Sequence, residues 1–246
     1  MQVNRKIFLS IVTLLTIIVF IVAYLFYVMP INDHRVFGVT YMTMNNPFYE
    51  IINNELKKNI EKSGDRLITL DPQLDIDKQN EQIYSFIKQK VDGIFINPID
   101  AKKIEPALKA AKKAHIPIIT VDAPVTNKDL VNCTVVSDNY NAGVQCAKYM
   151  MSKLKSANIV LLKHTTALSA KQRIEGFLDT IDAHSEYKII NQGECKGQLE
   201  KAMPVMQRIL KETPEVDVVM ALNDPSALGA LAALESMGYE DVMVYG

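Results

Sequence analysis

The sequence predicts an α/β protein in which parallel sheets are covered by helices on both faces, preceded by one transmembrane helix. Three observations support this prediction. Short apolar segments alternate with longer amphipathic segments from residue 36 to the end of the chain, as is typical of parallel sheets. Polar residues follow most of the apolar segments, which places them at the carboxyl edge of a sheet, where open α/β proteins bind ligands. The first thirty residues differ, because they contain a long apolar run.

This N-terminal run, residues 7–29, contains no charged side chain and follows Arg5 and Lys6. About 20 apolar residues suffice to cross a membrane, so residues 1–30 are predicted to be a membrane anchor or an uncleaved signal. A cleaved secretory signal is the competing interpretation, but it is usually shorter and ends at small residues, and no A-x-A sequence ends this run. We favour the anchor. The basic residues then place the globular part outside the cytoplasm, in the periplasm or at the cell surface.

The first half of the globular part contains strands predicted at residues 36–41, 67–70, 93–96 and 116–121. The helices between them are predicted at residues 47–63, 77–89 and 105–115. Pro47 in a first helical turn and Gly64 just past a last turn are the residues expected at those positions. The apolar spacing along this first helix predicts an inward face of Phe48, Ile51, Ile52, Leu56 and Ile60.

A second set of elements follows residues 138–139. Its strands are predicted at residues 158–162, 187–190, 216–221 and 242–245, with a helix before each. The last of these helices is predicted to have Asp224 as its N-cap and Pro225 at its first position. Pro204 predicts that its helix either starts late, near Ala202, or is kinked. The chain stops at Gly246 within this pattern, so we expect a truncated C-terminus and an incomplete second half.

Charge and motifs argue against several classes of function. The formal net charge of −1 provides no basic field for a nucleic-acid partner. The sequence contains no G-x-G-x-x-G, G-x-x-x-x-G-K-[ST], H-E-x-x-H or G-x-S-x-G motif, so it indicates neither a nucleotide site nor a hydrolytic centre. We therefore expect no catalytic residue, no metal site and no cofactor, in a protein that is not an enzyme.

The histidines and cysteines also lack metal-ligand spacing. Of the histidines, His164 follows a predicted strand and could reach the cleft, but an ordinary hydrogen-bonded or exposed role is favoured. The cysteines are interpreted as buried apolar thiols, with Cys195 expected nearest the cleft.

A set of side chains suited to ligand binding follows the predicted strands. Its members are Asn46, Phe48, Tyr49, Asp122, Arg173 and Asn223. Carboxylate, guanidinium and amide groups each make two hydrogen bonds and suit adjacent hydroxyls, whereas aromatic faces suit the C–H faces of a sugar ring. Structural alternatives remain open for single members. Phe48 could belong to the core, Asn46 could cap a helix, Asp122 could serve a turn, and Arg173 could form a surface salt bridge.

From residue 36 to Gly246 the sequence resembles periplasmic sugar-binding proteins of the ribose/galactose type, the substrate receptors of ABC importers. The matching stretches are NNPFYEIINNELKKNIEKSG, VDGIFINPIDAKKIEPALKAAKKAHIPIITVDAP, VVSDNYNAGVQCAKYM, SAKQRIEGF and ALNDPSALGALAALESMG. The resemblance implies two Rossmann-like lobes, expected at residues 36–130 and 131–246, which close on a sugar by a hinge motion. It also implies ligand contacts from the six residues of the set.

The sequence departs from this family pattern in four places. Ala123 stands where ribose binders typically have an arginine, which puts ribose itself in question. An aromatic residue that the family has near residues 195–197 is missing. The family's usual G-[FV]-D sequence would begin at Gly246, the last residue given, so its aspartate is absent. The predicted anchor replaces the more common cleaved or lipid-modified start.

The expected function is therefore that of a membrane-anchored, extracytoplasmic receptor that delivers a monosaccharide or polyol to ABC permease subunits. A ligand-sensing domain of a membrane receptor or chemosensory system is the nearest alternative, since a single anchor helix would suit it as well. A lactose-repressor-type regulator is disfavoured because an apolar run occupies the place of its DNA-binding domain. An α/β enzyme would be recognised by turnover of its substrate.

Overall fold

The computed structural model describes residues 5–28 and 34–246. Within the first range lies one helix, α1 (Arg5–Val28), and the large apolar side chains described for it are exposed. The segment Ile7–Tyr24 is long and apolar enough to cross a membrane. Two hydroxyls in α1 are satisfied within the helix, because Thr13 donates to the Leu9 carbonyl and Thr16 to the Val12 carbonyl. The prediction that residues 1–30 anchor the chain stays a prediction, and residues 1–4 and 29–33 lie outside the described ranges.

The chain forms two compact units, of which the second is Arg35–Gly246. This unit contains two sheets, and every strand pairing in them is parallel. The strands of the first sheet are β1 (Val36–Thr40), β2 (Arg66–Leu70), β3 (Gly93–Ile96), β4 (Ile118–Val121) and β5 (Cys133–Val135), in the order β2-β1-β3-β4-β5. Its helices are α2 (Pro47–Lys62), α3 (Ile76–Lys88) and α4 (Glu105–Lys113).

The second sheet has the order β7-β6-β8-β9. Its strands are β6 (Ala157–Lys163), β7 (Tyr187–Glu194), β8 (Val218–Ala221) and β9 (Met243–Tyr245). Its helices are α5 (Asn139–Lys153), α6 (Leu168–Ile181), α7 (Leu199–Glu212) and α8 (Asp224–Ser236). All four residues of β8 are buried, as expected for a strand covered by helices on both faces. The predicted fold class, two parallel α/β sheets, is confirmed.

Strand β5 belongs to the first sheet. The sequence interpretation opened the second lobe at residue 131, whereas Cys133–Val135 pairs with β4 and completes the first sheet. A three-residue strand contains no local signal for its sheet, so its partner is decided by packing. We propose that the boundary between the two lobes lies after β5, near residue 137.

Three local predictions are also corrected. The inward face of α2 is formed by Tyr49, which is buried, with Ile52, Leu56 and Ile60 packed on the core. Phe48 and Ile51 are instead 48% and 65% exposed. The N-cap of α8 is Asn223 rather than Asp224, because the Asn223 side chain accepts a hydrogen bond from the Ser226 amide. Helix α7 starts at Leu199, before Ala202, and contains Pro204 within it.

Candidate ligand-binding cleft

The carboxyl ends of both sheets face one cavity of about 350 Å³. Its volume lies in the range of roughly 300–1,000 Å³ that is usual for small-molecule sites. All six residues predicted from the sequence line it, namely Asn46, Phe48, Tyr49, Asp122, Arg173 and Asn223. The first four follow β1 or β4 of the first sheet, and the last two belong to helix α6 and to the turn after β8. The structure thus brings the whole predicted set together.

Asp122, directly after β4, presents its carboxylate to the cavity from a left-handed backbone conformation with φ of 69°. One oxygen, Oδ2, accepts a hydrogen bond from the Asn97 amide at 3.1 Å and from the Tyr49 hydroxyl at 3.5 Å. Burial raises the pKa of this carboxyl above its ordinary value, and Asn97, the Arg173 charge and Tyr49 oppose that rise. The other oxygen, Oδ1, has no hydrogen-bond partner among the described residues and remains available to a ligand.

Two aromatic side chains form a wall beside Asp122. Tyr49 stacks on the buried Tyr41 with ring centroids 5.6 Å apart, and Phe48 meets Tyr49 edge-on at 5.5 Å. Burial raises the pKa of Tyr49 well above its ordinary value, and the neighbouring Asp122 charge raises it further, so the hydroxyl remains a donor. Because Phe48 is half exposed and lines the cavity, its alternative role as a core residue is wrong.

Asn46 combines the two roles that the sequence left open. Its Oδ1 accepts a hydrogen bond from the Phe48 amide at 3.0 Å and so caps α2. Its Nδ2 has no acceptor among the described residues, and the side chain lines the cavity. The amide group can therefore cap the helix and donate to a ligand at the same time.

Arg173 is held by groups of the second sheet and its helices. Its Nη1 donates to the Leu222 carbonyl at 2.8 Å, and its Nη2 donates to Asn139 Oδ1 at 3.1 Å. Its Nε is buried and has no partner in the part of the chain that is described. A buried donor without a partner is costly, so a ligand acceptor at Nε would relieve that cost. The alternative of a surface salt bridge is wrong for this arginine.

Two glycines bring Arg173 to Asn139. At Gly143 on α5 a methyl group would overlap the Arg173 carbonyl oxygen, and at Gly176 on α6 it would overlap the Tyr140 carbonyl oxygen. The two helices can approach this closely only because neither position has a Cβ. Asn139, the first residue of α5, also lines the cavity, although it is not a member of the predicted set.

Asn223 serves chiefly as a cap in this structure. Its Oδ1 accepts hydrogen bonds from the amide and the hydroxyl of Ser226, and its Nδ2 donates to the Gly197 carbonyl at 3.2 Å. Gly197 has φ of 69°, and a Cβ there would lie 2.9 Å from Asn223 Nδ2. One N–H of Asn223 remains for a ligand.

The histidine and cysteine predictions have different outcomes. His164 is buried and lines the cavity, with Nε2 3.2 Å from the Thr166 hydroxyl, so it does reach the cleft. The predicted hydrogen-bonded role is right and the exposed alternative is wrong. Burial lowers the pKa of His164. Cys195 is buried as expected, but Cys133 is exposed and Cys146 is only partly buried, so the interpretation of all three as buried thiols was wrong. Cys146 lines the cavity and Cys195 does not, so the expectation that Cys195 is nearest the cleft was also wrong.

The cleft offers an acceptor from one sheet, cationic and amide donors from the other, and an aromatic wall. Two parallel α/β sheets whose carboxyl edges meet at such a cleft are the type I periplasmic binding fold. The chain belongs to the periplasmic binding protein family, because residues 37–246 match the family described as periplasmic binding protein domain.

Individual relatives agree with this assignment. The ribose import binding protein RbsB of Bacillus subtilis (strain 168) is 32% identical over 211 residues, which are 85% of this chain and 68% of that protein. An ABC transporter solute binding protein from Bacillus halodurans C-125, solved with bound myo-inositol, has a TM-score of 0.80 at 28% identity, over 87% of this chain and 75% of that one. The fructose-binding periplasmic domain of a hybrid two-component system has a TM-score of 0.79 at 27% identity, over 85% and 70%.

Proposed function

We propose that the chain is an extracytoplasmic sugar-binding receptor of an ABC importer, which captures a monosaccharide or polyol in the cleft. The observation that supports this most directly is the single cavity of about 350 Å³ that contains all six residues of the predicted set. The family and the relatives support it independently, since their names refer to ribose import and to a transporter component with bound myo-inositol.

The charges of the cleft favour a neutral ligand. Asp122 and Arg173 are close enough for the Arg173 charge to act on the pKa of the carboxyl, so the two charges compensate each other. A sugar hydroxyl can donate to Asp122 Oδ1 and can accept from Arg173 Nε or Asn46 Nδ2. The faces of Phe48 and Tyr49 supply apolar area for the C–H side of the ring.

Binding with closure of the two lobes is the mechanism that we propose, and it makes or breaks no covalent bond. The segments that follow β6 and β3 are already in contact beside the cleft, because the Thr166 hydroxyl donates to the Ile99 carbonyl at 3.3 Å. The Ala101 amide also donates to the Thr166 carbonyl at 3.4 Å. A ligand that bridges Asp122 and Arg173 would stabilise this contact.

In this proposal α1 anchors the receptor in the cell membrane through residues 7–29, with Arg35–Gly246 outside the cytoplasm and ABC permease subunits as partners. The apolar composition of Ile7–Tyr24 supports the anchor. The relatives named as import binding proteins support the permease partner.

A sensor is the second candidate. The similarity to the fructose-binding periplasmic domain of a two-component system favours it, because a domain of the same fold is there part of a signalling protein. Sugar uptake into vesicles that contain the full chain and a candidate permease would separate the two functions. Uptake that requires the chain supports the importer, and sugar binding without any such uptake supports the sensor.

The test of the proposed function is a thermal-shift screen of the full chain in mild detergent. Ligands would include D-ribose, D-allose, myo-inositol, xylitol and D-fructose, with amino acids as a comparison class. A ligand at 100 times its Kd should stabilise the fold by about 2.7 kcal/mol, which gives a clear rise in Tm. A rise with a sugar or polyol that is absent in Arg173→Ala supports the proposal. A folded chain that responds to no sugar, or only to amino acids, contradicts it.

A further inference from the structure

Behind the cleft lies a buried pair of amide side chains, one of which donates to Asp122. Asn97, directly after β3, and Gln79, on α3, are both fully buried, and neither lines the cavity. Buried amides are tolerated when their hydrogen bonds are satisfied, so the partners of these two groups show what they hold in place.

Asn97 connects the ends of three neighbouring strands. Its Oδ1 accepts a hydrogen bond from the Met42 amide after β1 at 3.3 Å. One Nδ2 hydrogen is directed to the Val121 carbonyl of β4 at 3.0 Å, and the other to Asp122 Oδ2 at 3.1 Å. Both donor hydrogens of the amide are therefore used, and one of them is used on the carboxylate of the cleft.

Gln79 fixes Asn97 in turn. Its Nε2 donates to the Asn97 carbonyl at 2.9 Å and to the Tyr41 carbonyl at 3.1 Å. Its Oε1 accepts from the Ile99 amide at 2.9 Å. Gln79 thus holds the Asn97 backbone, while the Met42 amide and the Val121 carbonyl hold the Asn97 side chain, so its direction is set before any ligand arrives.

We propose that Asn97 is a positioning residue for ligand recognition, which together with the Tyr49 hydroxyl holds Asp122 Oδ2 and leaves Oδ1 as the single acceptor presented to the ligand. The geometry also assigns the donor that the ligand must provide. With Oδ2 occupied, two adjacent ligand hydroxyls cannot bind one to each carboxylate oxygen, so any hydroxyl that the ligand donates to Asp122 must reach Oδ1. The contact between a ligand hydroxyl and Oδ1 rests on the proposed function, whereas the hold of Asn97 on Oδ2 does not.

The charge state of Asp122 provides a readout that a merely structural role would not change. Groups that act on this carboxyl are Asn97 from the β3 end, Tyr49 from α2 and Arg173 from α6. Asn97 and Tyr49 donate hydrogen bonds to the ionised form and so oppose the rise in pKa that burial causes. Removing either donor should therefore move the titration of Asp122 to higher pH.

The experiment is a carboxyl NMR titration of the full chain in mild detergent without ligand, with the Asp122 signal assigned through Asp122→Asn. Tyr49→Phe and Asn97→Leu are the test variants. Thr120→Val is the matched control, because Thr120 is buried in β4 and loses one hydrogen bond, to Thr134 at 2.8 Å, without touching Asp122. We expect the midpoint of Asp122 to rise in both test variants and to stay unchanged in the control.

An unchanged midpoint in Tyr49→Phe and in every folded Asn97 variant would overturn the proposal, whatever the ligand is. If Asn97→Leu does not fold, Asn97→Ala, which removes the same donor with a smaller side chain, takes its place beside Tyr49→Phe. A second readout is the Kd for whichever of D-ribose, D-allose and myo-inositol the thermal screen selects. We expect it to weaken about 10-fold or more at pH 7 in Asn97→Leu, as for loss of a well-placed charged acceptor. Equal affinity in wild type and Asn97→Leu would also overturn the proposal.

Discussion

The two sides of the cleft hold their charged groups in different ways. On the first-sheet side, Asp122 is held by side chains, since Asn97 and Tyr49 both donate to one of its oxygens. On the second-sheet side, Arg173 is held by the Leu222 carbonyl and by Asn139 at the start of a helix. The Asn223 side chain likewise forms the N-cap of α8.

Because of this difference, mutations on the two sides of the cleft should have different effects. Changes on the first-sheet side should alter the orientation and ionisation of the acceptor while leaving the helices intact. Changes on the second-sheet side should alter binding and the packing or capping of helices together. Variants on the two sides of the cleft therefore test this difference.

Arg173→Ala should weaken sugar binding by about 100-fold, or roughly 3 kcal/mol, at the upper end of the range for a hydrogen bond to a charged group. It should also lower the Tm, because Asn139 loses a partner. Isothermal titration would measure the affinity. Arg208→Ala is the control, since Arg208 is exposed on α7 and pairs only with Glu212 at 3.5 Å among the described residues. Unaltered affinity in Arg173→Ala would remove this arginine from the site.

Gly176→Ala should destabilise the fold by about 2 kcal/mol, because the new methyl group would overlap the Tyr140 carbonyl and push α6 away from α5. Affinity should fall as well, since Arg173 is on the displaced helix. Chemical denaturation and sugar titration would measure the two effects. Glu175→Ala on the same helix removes only an exposed pair with Lys171 and should change little. Loss of stability without any loss of affinity would show that the helix approach does not position Arg173.

Asp122→Asn should weaken binding about 10-fold, as expected when a charged acceptor becomes neutral, and yet raise the Tm at pH 7. The folded pKa of Asp122 is raised, so the folded chain binds this proton more tightly than the unfolded chain does. The stability that this group contributes is present below the ordinary carboxyl pKa and is lost as the pH rises through the folded pKa. Asparagine avoids that loss and can still accept from Asn97 and Tyr49.

The gain in Tm should therefore disappear when the pH falls below the ordinary carboxyl pKa, because both proteins are then neutral at this position. Thermal melts of the two proteins from pH 3 to pH 8 would follow the difference. A gain that is the same at every pH would show that the ionisation of Asp122 is not its cause.

Asn223→Ala should cost about 1 kcal/mol of stability, the usual effect of losing an N-cap. Asn223→Asp keeps the oxygen that accepts from Ser226 but removes the donor to Gly197, so it should retain most of the stability while binding less sugar. Comparing Tm and Kd for the two variants separates capping from ligand contact. If both variants bind as the wild type does, Asn223 is only a cap.

Most of the fold could be predicted from the sequence, because apolar strands and glycine or proline at helix ends are local signals. Asp122 could be predicted as a cleft residue because it directly follows a strand. Arg173 could be predicted as one because of the family resemblance. The exposed position of Phe48 and Ile51 could not be predicted, since the apolar spacing of α2 fits two overlapping faces and packing selects the one with Tyr49.

Asn97 and Asn139 were left out of the predicted set for a related reason. Both are amides next to a strand or helix end, as Asn46 is, so residue type and position alone do not distinguish them. Their roles depend on which elements are neighbours. Asn97 reaches Asp122 because β3 lies beside β4, and Asn139 reaches Arg173 because two glycines allow α5 and α6 to approach.

The most direct test of the account is a crystal structure of the full chain with the sugar or polyol that gives the largest rise in Tm. We expect a ligand in the cleft, with one hydroxyl on Asp122 Oδ1, another on Arg173 Nε, and Asn97 still bound to Oδ2. A ligand bound outside the cleft would contradict the proposed function. A ligand in the cleft that displaces Asn97 from Oδ2 would contradict the positioning role alone.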